Sequence, residues 1–388
     1  MKDFSRNLAT FTSAAALCLS AATVLAANLP AEPTPAVETM PDTYPESLIY
    51  VHDSNFETLL AGKVALVDVA PGTRNYKGAL DAAQFASFIE SRHKEELYVA
   101  ESFYARGTRG ERTDVITIYD KKHLKRIGEI ALPGAKRGQV VAHRYTLQLV
   151  DNDRFLLLFN FTPAASVTMI DMDSRKILSE TQIPGCGLVY PAGKRGFASL
   201  CSNGSLFSAQ FDKKGNLTHQ KNVSPFFDVD DDPLFDKPVY IGKTAWFPSF
   251  KGEIQPIDFS GKTPVVKQTW SLLNEQQRAE NWRPGGWQIA TVNDRGLIYI
   301  LMHKDGYNGS HKGGGSEVWV YDPKKRKRVN SFALKQWGVS IELTSGKQPY
   351  LVVVNASMQM DIYNPQNGEW LKMIGDVAST PFSIHAQR

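Results

Sequence analysis

The stretch Val115-Ile116-Thr117-Ile118-Tyr119-Asp120-Lys121-Lys122, VITIYDKK in one-letter code, decides the fold. Its β-branched and aromatic residues favour a strand, Asp-Lys-Lys turns the chain, and Ile127 to Leu132 returns it. The same grammar recurs at Val318 to Asp322, where Pro323 precedes a return through Val329 to Leu334. It recurs again at Met360 to Tyr363, which runs into Asn364-Pro365-Gln366-Asn367-Gly368, strong turn chemistry. Seven apolar runs end in this way: Val67-Asp68, Tyr119-Asp120, Ile170-Asp171, Phe211-Asp212, Ile257-Asp258, Tyr321-Asp322 and Tyr363-Asn364. Their spacings of 52, 51, 41, 46, 64 and 42 residues match four-stranded propeller blades. One blade cannot bury both faces of its sheet, so blades stack around an axis until the ring closes. The expectation is an all-β, seven-bladed β-propeller over residues 47–388.

Three local expectations accompany it. Each run-ending Asp should accept hydrogen bonds from backbone amides two or three residues on, a structural role. Ser47 to His52 should supply a strand that closes the ring with the last blade, removing two open sheet edges. Ala79 to Arg92 is helix-forming by composition, but the repeat demands strands there, whereas Ser271 to Trp282 (SLLNEQQRAENW) reads as a surface helix inserted between blades.

Residues 1–27 read as a secretory signal peptide, which places the mature protein in the periplasm. Lys2 and Arg6 form a basic start, Leu8 to Leu25 is rich in Ala, Leu, Ser, Thr and Val, and Val24-Leu25-Ala26 offers small residues for cleavage. The run is short and Ser/Thr-rich for an anchor and has no basic stop. Residues 28–46, rich in Pro, Ala, Glu and Thr, read as a flexible tail. Without residues 1–26 the chain keeps 42 Lys and Arg against 39 Asp and Glu, a net charge of +3. That balance points to neither nucleic acid nor an anionic membrane as partner. Cys18 leaves with the signal. Cys186 and Cys201 remain, on runs that look like neighbouring strands, and fit a disulfide, a buried thiol pair or, less well, a metal site lacking further ligands nearby.

Motifs that carry chemistry are missing. There is no GxxxxGK[ST], GxGxxG, HExxH, CxxC, CxxCH or GxSxG, and Gly313-Gly314-Gly315 is only a turn. The acidic cluster Asp228, Asp230, Asp231, Asp232 and Asp236 lacks the glycine and distal glutamate of a calcium loop. The basic run Lys324 to Arg328 falls at a hairpin tip, where charge is ordinarily solvated. Of the eight histidines only His303 and His311 lie close together, and hydrogen-bonded loop histidines are the plainer reading. No complete catalytic set emerges.

Three stretches resemble the heavy chain of the quinone-dependent bacterial amine dehydrogenases: Arg106-Gly107-Thr108-Arg109-Gly110-Glu111-Arg112-Thr113-Asp114-Val115, Trp282-Arg283-Pro284-Gly285-Gly286-Trp287, and Met302-His303 through Gly309-Ser310-His311-Lys312. Cys186 and Cys201 sit where that family carries a disulfide. Asp231-Asp232-Pro233 after a Phe pair, and Trp270-Ser271-Leu272-Leu273-Asn274, look closer to the aromatic, aralkylamine branch than to the methylamine branch. The resemblance implies a periplasmic assembly of two heavy and two light chains. In it the light chain carries tryptophan tryptophylquinone and the catalytic base, primary amines become aldehyde and ammonia, and a blue copper protein takes the electrons. It implies no catalytic residue, cofactor or metal in this chain. The seven tryptophans here are then expected to pack rather than to form a quinone. Phe85 aligns near a residue of the substrate entrance. Arg106, Arg109, Arg112, Trp282, Arg283, Trp287, His303 and His311 become candidates for the light-chain interface. Two other readings stay open: a stand-alone propeller binding protein without amine dehydrogenase activity, and a lactonase-type hydrolase with a metal in its central channel.

Overall fold

The computed structural model describes residues 39–387 except 59, 73 and 84. The expected signal peptide, 1–27, and residues 28–38 of the expected tail lie outside the described residues. The chain is a β-propeller built from successive antiparallel meanders. The first sheet orders Ser383–Ala386, Leu48–Asp53, Gly62–Asp68 and Tyr76–Ala82, and the second Ser87–Glu90, Glu96–Arg106, Arg109–Asp120 and Arg126–Leu132. The third runs from Leu147–Val150 to Lys176–Gln182, the fourth from Cys186–Pro191 to Leu217–Val223, and the fifth from Val239–Ile241 to Val265–Val266 with Trp270–Ser271 added.

Seven separate sheets were expected. Instead five sheets of four or five strands are joined by one of eight, which spans Arg283–Pro284 to Trp370–Ile374. The physical reason is one 17-residue strand, Lys327–Leu343. Its first half pairs with Gly315–Asp322 and its second half with Leu351–Asn355, so no loop interrupts the ladder.

Middle strands such as Phe155–Asn160 and Ser166–Asp171 are buried along their whole length, because a neighbouring sheet covers each face. Outer strands such as Leu217–Val223 are mostly exposed. The core lies between sheets. Tyr50, Leu66, Phe88 and Val99 join the first and second, and Tyr98, Ile118, Leu156 and Ile170 the second and third. Ile49 and Val67 meet Val352 and Ile362, which joins the end of the ring to its beginning.

Ring closure differs from expectation in direction. Leu48–Asp53 stays in the first sheet, paired with Gly62–Asp68, and the C-terminal strand Ser383–Ala386 crosses over to pair with it, Ile49 opposite Ala386. Residues 39–46, expected within the flexible tail, are anchored on the second sheet. Met40 and Tyr44 are buried, and the Met40 amide and Tyr44 hydroxyl donate to the carbonyls of Lys122 and Lys121. In the stretch of helical composition the chain instead forms the strands Tyr76–Ala82 and Ser87–Glu90, as the repeat demanded. The inserted helix is shorter than expected, Glu275–Ala279, and starts with a capping box between Asn274 and Gln277.

The turn aspartates do what local chemistry predicts. Asp68, Asp120, Asp171, Asp212, Asp258 and Asp322, with Asn364, each accept a backbone amide two or three residues ahead. Strand direction alternates, so these turns, with those after each innermost strand, lie on one side, the turn face. The connections between sheets and between second and third strands lie on the other, the loop face.

Candidate functional site

The sequence-derived site candidates, the cysteine pair included, lie on the loop face. Arg106 and Arg109 tip a hairpin whose strands, Glu96–Arg106 and Arg109–Asp120, are 11 and 12 residues long. The end of this arm, 103–113, is largely exposed. Gly107 and Gly110 hold positive φ at its tip, +74° and +98°, a geometry that favours glycine. Arg112 is not an open contact residue. Its guanidinium forks onto Asp114 (2.7 and 2.9 Å) and also donates to the Arg137 carbonyl at 2.7 Å.

Arg137, which no sequence signal picked out, is 2% exposed. Its Nε and Nη2 donate to Ser102 Oγ, and its Nη1 donates to the carbonyl of Phe85 at 2.6 Å. Burial pushes this guanidinium down to about 10 despite Asp114 nearby. Phe85 itself is half-buried, with a left-handed φ of +50° that phenylalanine rarely adopts. The chain Arg112–Asp114–Arg137 therefore fixes the backbone that presents Phe85.

The segment Trp282 to Trp287 is tied down at several points. Trp282 donates its indole N–H to Glu280 at 3.0 Å and lies 4.6 Å from the Trp319 ring. Arg283 covers the Phe250 ring at 4.5 Å. The Gly286 amide donates to the His311 carbonyl, and the Trp287 amide to Val339 at 2.6 Å. A Cβ on Gly286 would stand 2.6 Å from the Val339 carbonyl, so only glycine lets this segment press against the shared strand. His303 is buried, bonded through Nε2 to Ser310 Oγ at 2.8 Å, with Trp337 beside it. His311 is half-buried, edge-on to Phe250 and Phe235. Burial lowers both histidines' pKa values; Arg283 and His311 add to this for His303, and Lys312 for His311. Within this chain both side chains pack against neighbouring rings.

The axis carries a cluster that sequence reasoning missed. Arg144 donates to Glu342 and to the Ile384 carbonyl at 2.8 Å, bridging residues 198 apart in the chain. Thr291 Oγ1 (2.7 Å) and Gln288 Nε2 (3.2 Å) complete the Glu342 carboxylate. Burial opposes the Arg144 charge, yet Glu342 outweighs it and raises its pKa. Beside it, His143 Nδ1 accepts the Tyr145 amide at 3.1 Å, leaving Nε2–H toward Asp236 at 3.2 Å. His143 and Lys237 beside it hold the Asp236 carboxyl well below the usual carboxylate range. Burial lowers the His143 pKa, with Lys237 adding to it against Asp236. Lys237 Nζ sits 3.9 Å over the Trp287 ring, which lies 6.1 Å from Phe382. The channel is thus bridged by a buried ion pair, with an aromatic and charged cluster beside it.

Large apolar side chains stand exposed on this face, among them Phe56, Leu60, Phe103, Phe161, Tyr307 (69% exposed) and Trp337. Two shallow hollows accompany them, one of about 550 Å³ beside Phe226 and Phe227 and one of about 230 Å³ beside Trp282 and Trp319. The acidic cluster is spent internally: Asp228 caps the amides of Asp230 and Asp231, Asp231 pairs with Lys251, and Asp232 binds Ser249 and the Lys251 amide. Among the described residues no three His, Cys, Asp or Glu side chains converge as metal ligands. Cys186 and Cys201 sit opposite each other on neighbouring strands and form a disulfide at the loop-face end of the fourth sheet. What the loop face offers is a large, partly apolar surface on a rigid frame, suited to docking.

The family model for the methylamine dehydrogenase heavy chain (MADH) matches residues 47–387. Curated relatives include the methylamine dehydrogenase heavy chains of Methylobacillus flagellatus, 26% identical over 79% of this chain and 77% of the relative, and of Methylophilus methylotrophus, 27% identical over 79% and 76%. Among solved structures, the β-propeller domain of Swd1 from Myceliophteria thermophila superposes with a TM-score of 0.53 at 11% identity, over 84% of this chain and 99% of that one. The dihydro-heme d1 dehydrogenase NirN gives 0.54 at 15% identity, over 92% and 77%. At these identities the structures speak for the fold alone.

Proposed function

Because the chain belongs to the methylamine dehydrogenase heavy-chain family, we propose that it is the heavy subunit of a two-plus-two amine dehydrogenase and docks its light chain on the loop face. The observation that carries this reading is the loop face itself, with exposed aromatic side chains around an axis bridged by Arg144 and Glu342. The frame is rigid and its buried charges are spent on one another, so the surface is suited to hold a partner.

The quinone does not fit this chain. Trp282 and Trp319, their ring centroids 4.6 Å apart and tilted 39° to each other, each donate the indole N–H to a glutamate and pack as separate rings. In this proposal the light chain supplies tryptophan tryptophylquinone and the catalytic base, and a blue copper protein receives the electrons. The substrate is an aromatic or aralkyl primary amine, a choice supported by the Asp231-Asp232-Pro233 and Trp270 to Asn274 segments. Residence in the periplasm is supported by the sequence of residues 1–27 and by the disulfide, which suits an oxidising compartment. A count of seven blades is supported by the shared strand Lys327–Leu343, whose halves serve different neighbours and so let the eight-stranded sheet be read as two blades.

Co-purification from the native host tests the proposal: two large and two small subunits, with quinone absorbance and amine-dependent dye reduction. The heavy chain expressed alone should fold, carry no chromophore and oxidise no amine. Amine oxidation by the isolated chain, or its isolation as a stand-alone protein where amine oxidation is active, refutes it. Comparing kcat/KM for aromatic amines and methylamine decides the branch.

A further inference from the structure

The near-even charge of the whole chain conceals a segregation. In the turn-face loops between Ala192 and Lys327 ten Lys and Arg side chains are exposed, including Lys213, Lys214, Lys243, Lys262, Arg295 and Lys324, against one exposed acid, Asp294. The other acids there are half-buried and engaged. Asp212 binds the amides of Lys214 and Asn216, Asp258 binds the Ser260 amide and Lys267, and Asp322 binds the Lys324 and Lys325 amides. Their negative ends are thus drawn into the turns while the lysines project.

These turns form one surface. The Gly193 amide donates to the Phe259 carbonyl at 2.7 Å, Lys243 Nζ reaches the Gly193 carbonyl at 3.4 Å, and Arg326 reaches Gln268 at 3.4 Å. The turns are tight, so the surface is broad and shallow. Lysine supplies eight of the ten bases, and no exposed aromatic lies among these turns in the described residues. Leu217 and Val265 stand exposed at the heads of the adjoining outer strands. Protein interfaces are enriched in aromatic residues and arginine and depleted in lysine. A lysine-rich, flat patch instead matches the delocalised charge of an anionic lipid surface, where each basic residue strengthens binding about fivefold.

We propose that the turn face across the fourth and fifth sheets and the adjoining part of the eight-stranded sheet docks an anionic phospholipid membrane. The loop face then points away from the lipid, free for a protein partner. The balance of +3 had argued against a membrane because it treats the charge as evenly spread.

Sedimentation of the purified protein with vesicles tests this, using phosphatidylcholine alone and phosphatidylcholine mixed with phosphatidylglycerol. Binding is expected only to the mixed vesicles at low ionic strength, and its loss near 1 M salt, where the screening length falls to about 3 Å. K213Q/K214Q should weaken partitioning about twenty-five-fold, at about fivefold per charge. The charge-matched loop-face variant K304Q/K312Q should leave it unchanged. Absence of sedimentation at low ionic strength overturns the proposal, as does equal weakening by the two variants. Retention on immobilised polyglutamate without vesicle binding also overturns it and points to an acidic protein.

Discussion

Replacing Glu342 by glutamine tests the idea that the axis of the ring is held by charge. The side chains of Arg144 and Glu342 are 12% and 4% exposed, so neither recovers full hydration when the other is lost. Glutamine keeps the shape and one oxygen, but that oxygen must choose between Thr291 and Arg144, and the guanidinium stays buried without a counter-charge. Breaking a buried pair by removing one partner costs about 3–5 kcal/mol. For a chain of this size that is a fall in melting temperature on the order of 10 °C, at about 2–4 °C per kcal/mol. Arg144→Met should cost a similar amount. The double variant should cost clearly less than the sum, because no uncompensated charge remains. Urea denaturation of the three variants, with unchanged slope, supplies the free energies. Single losses below about 1 kcal/mol, or strictly additive ones, would show that water reaches the axis and that the pair is ordinary surface electrostatics.

Three other outcomes are expected. Reduction of the Cys186–Cys201 bond, which closes a separation of 15 residues, should lower stability by roughly 3 kcal/mol in the loop-entropy account; two free thiols in non-reduced protein by mass spectrometry would contradict the bond itself. His52 is buried, and burial brings its pKa down to about 4 despite Asp53. Its contribution is therefore whole above pH 6.5 and is lost as pH falls through about 4, by up to roughly 3 kcal/mol. His52→Gln should flatten that part of the stability–pH curve, and an unchanged slope rules the histidine out. Phe85→Ala, on a half-buried side chain, should lower melting only slightly while shifting kcat/KM of the assembled enzyme between bulky aromatic and small aliphatic amines. A loss of about 3–5 kcal/mol, the cost of an emptied core site, with amine preference intact would assign Phe85 to the core.

What was legible in the sequence was local. An aspartate closing a turn binds amides two or three residues away, so all seven turns declared themselves, and with them the propeller. The closing strand was harder, because Ser383–Ala386 (SIHA) is short and half polar and nothing nearby says which sheet receives it. The shared strand erased a boundary because the chain simply continued. The internal bonds of Arg112 were not anticipated from its place on an exposed hairpin. A signal did exist: residues two apart on a strand share a face, which puts Asp114 beside it. His303 and His311 looked like a pair, but packing against Trp337 and Phe250 is a property of the fold. Arg144 and Glu342 are joined only by closure of the ring, and no spacing reveals them.

The crossing of Ser383–Ala386 into the first sheet also sets a timetable. Leu48–Asp53 precedes its inner neighbour by more than 300 residues, so a growing chain exposes an unpaired edge on its first sheet until Ser383–Ala386 is made. The Arg144 guanidinium waits equally long for Ile384. The ring can lock only once Ser383–Ala386 is in place, and a chain truncated before Ser383 leaves its first sheet open.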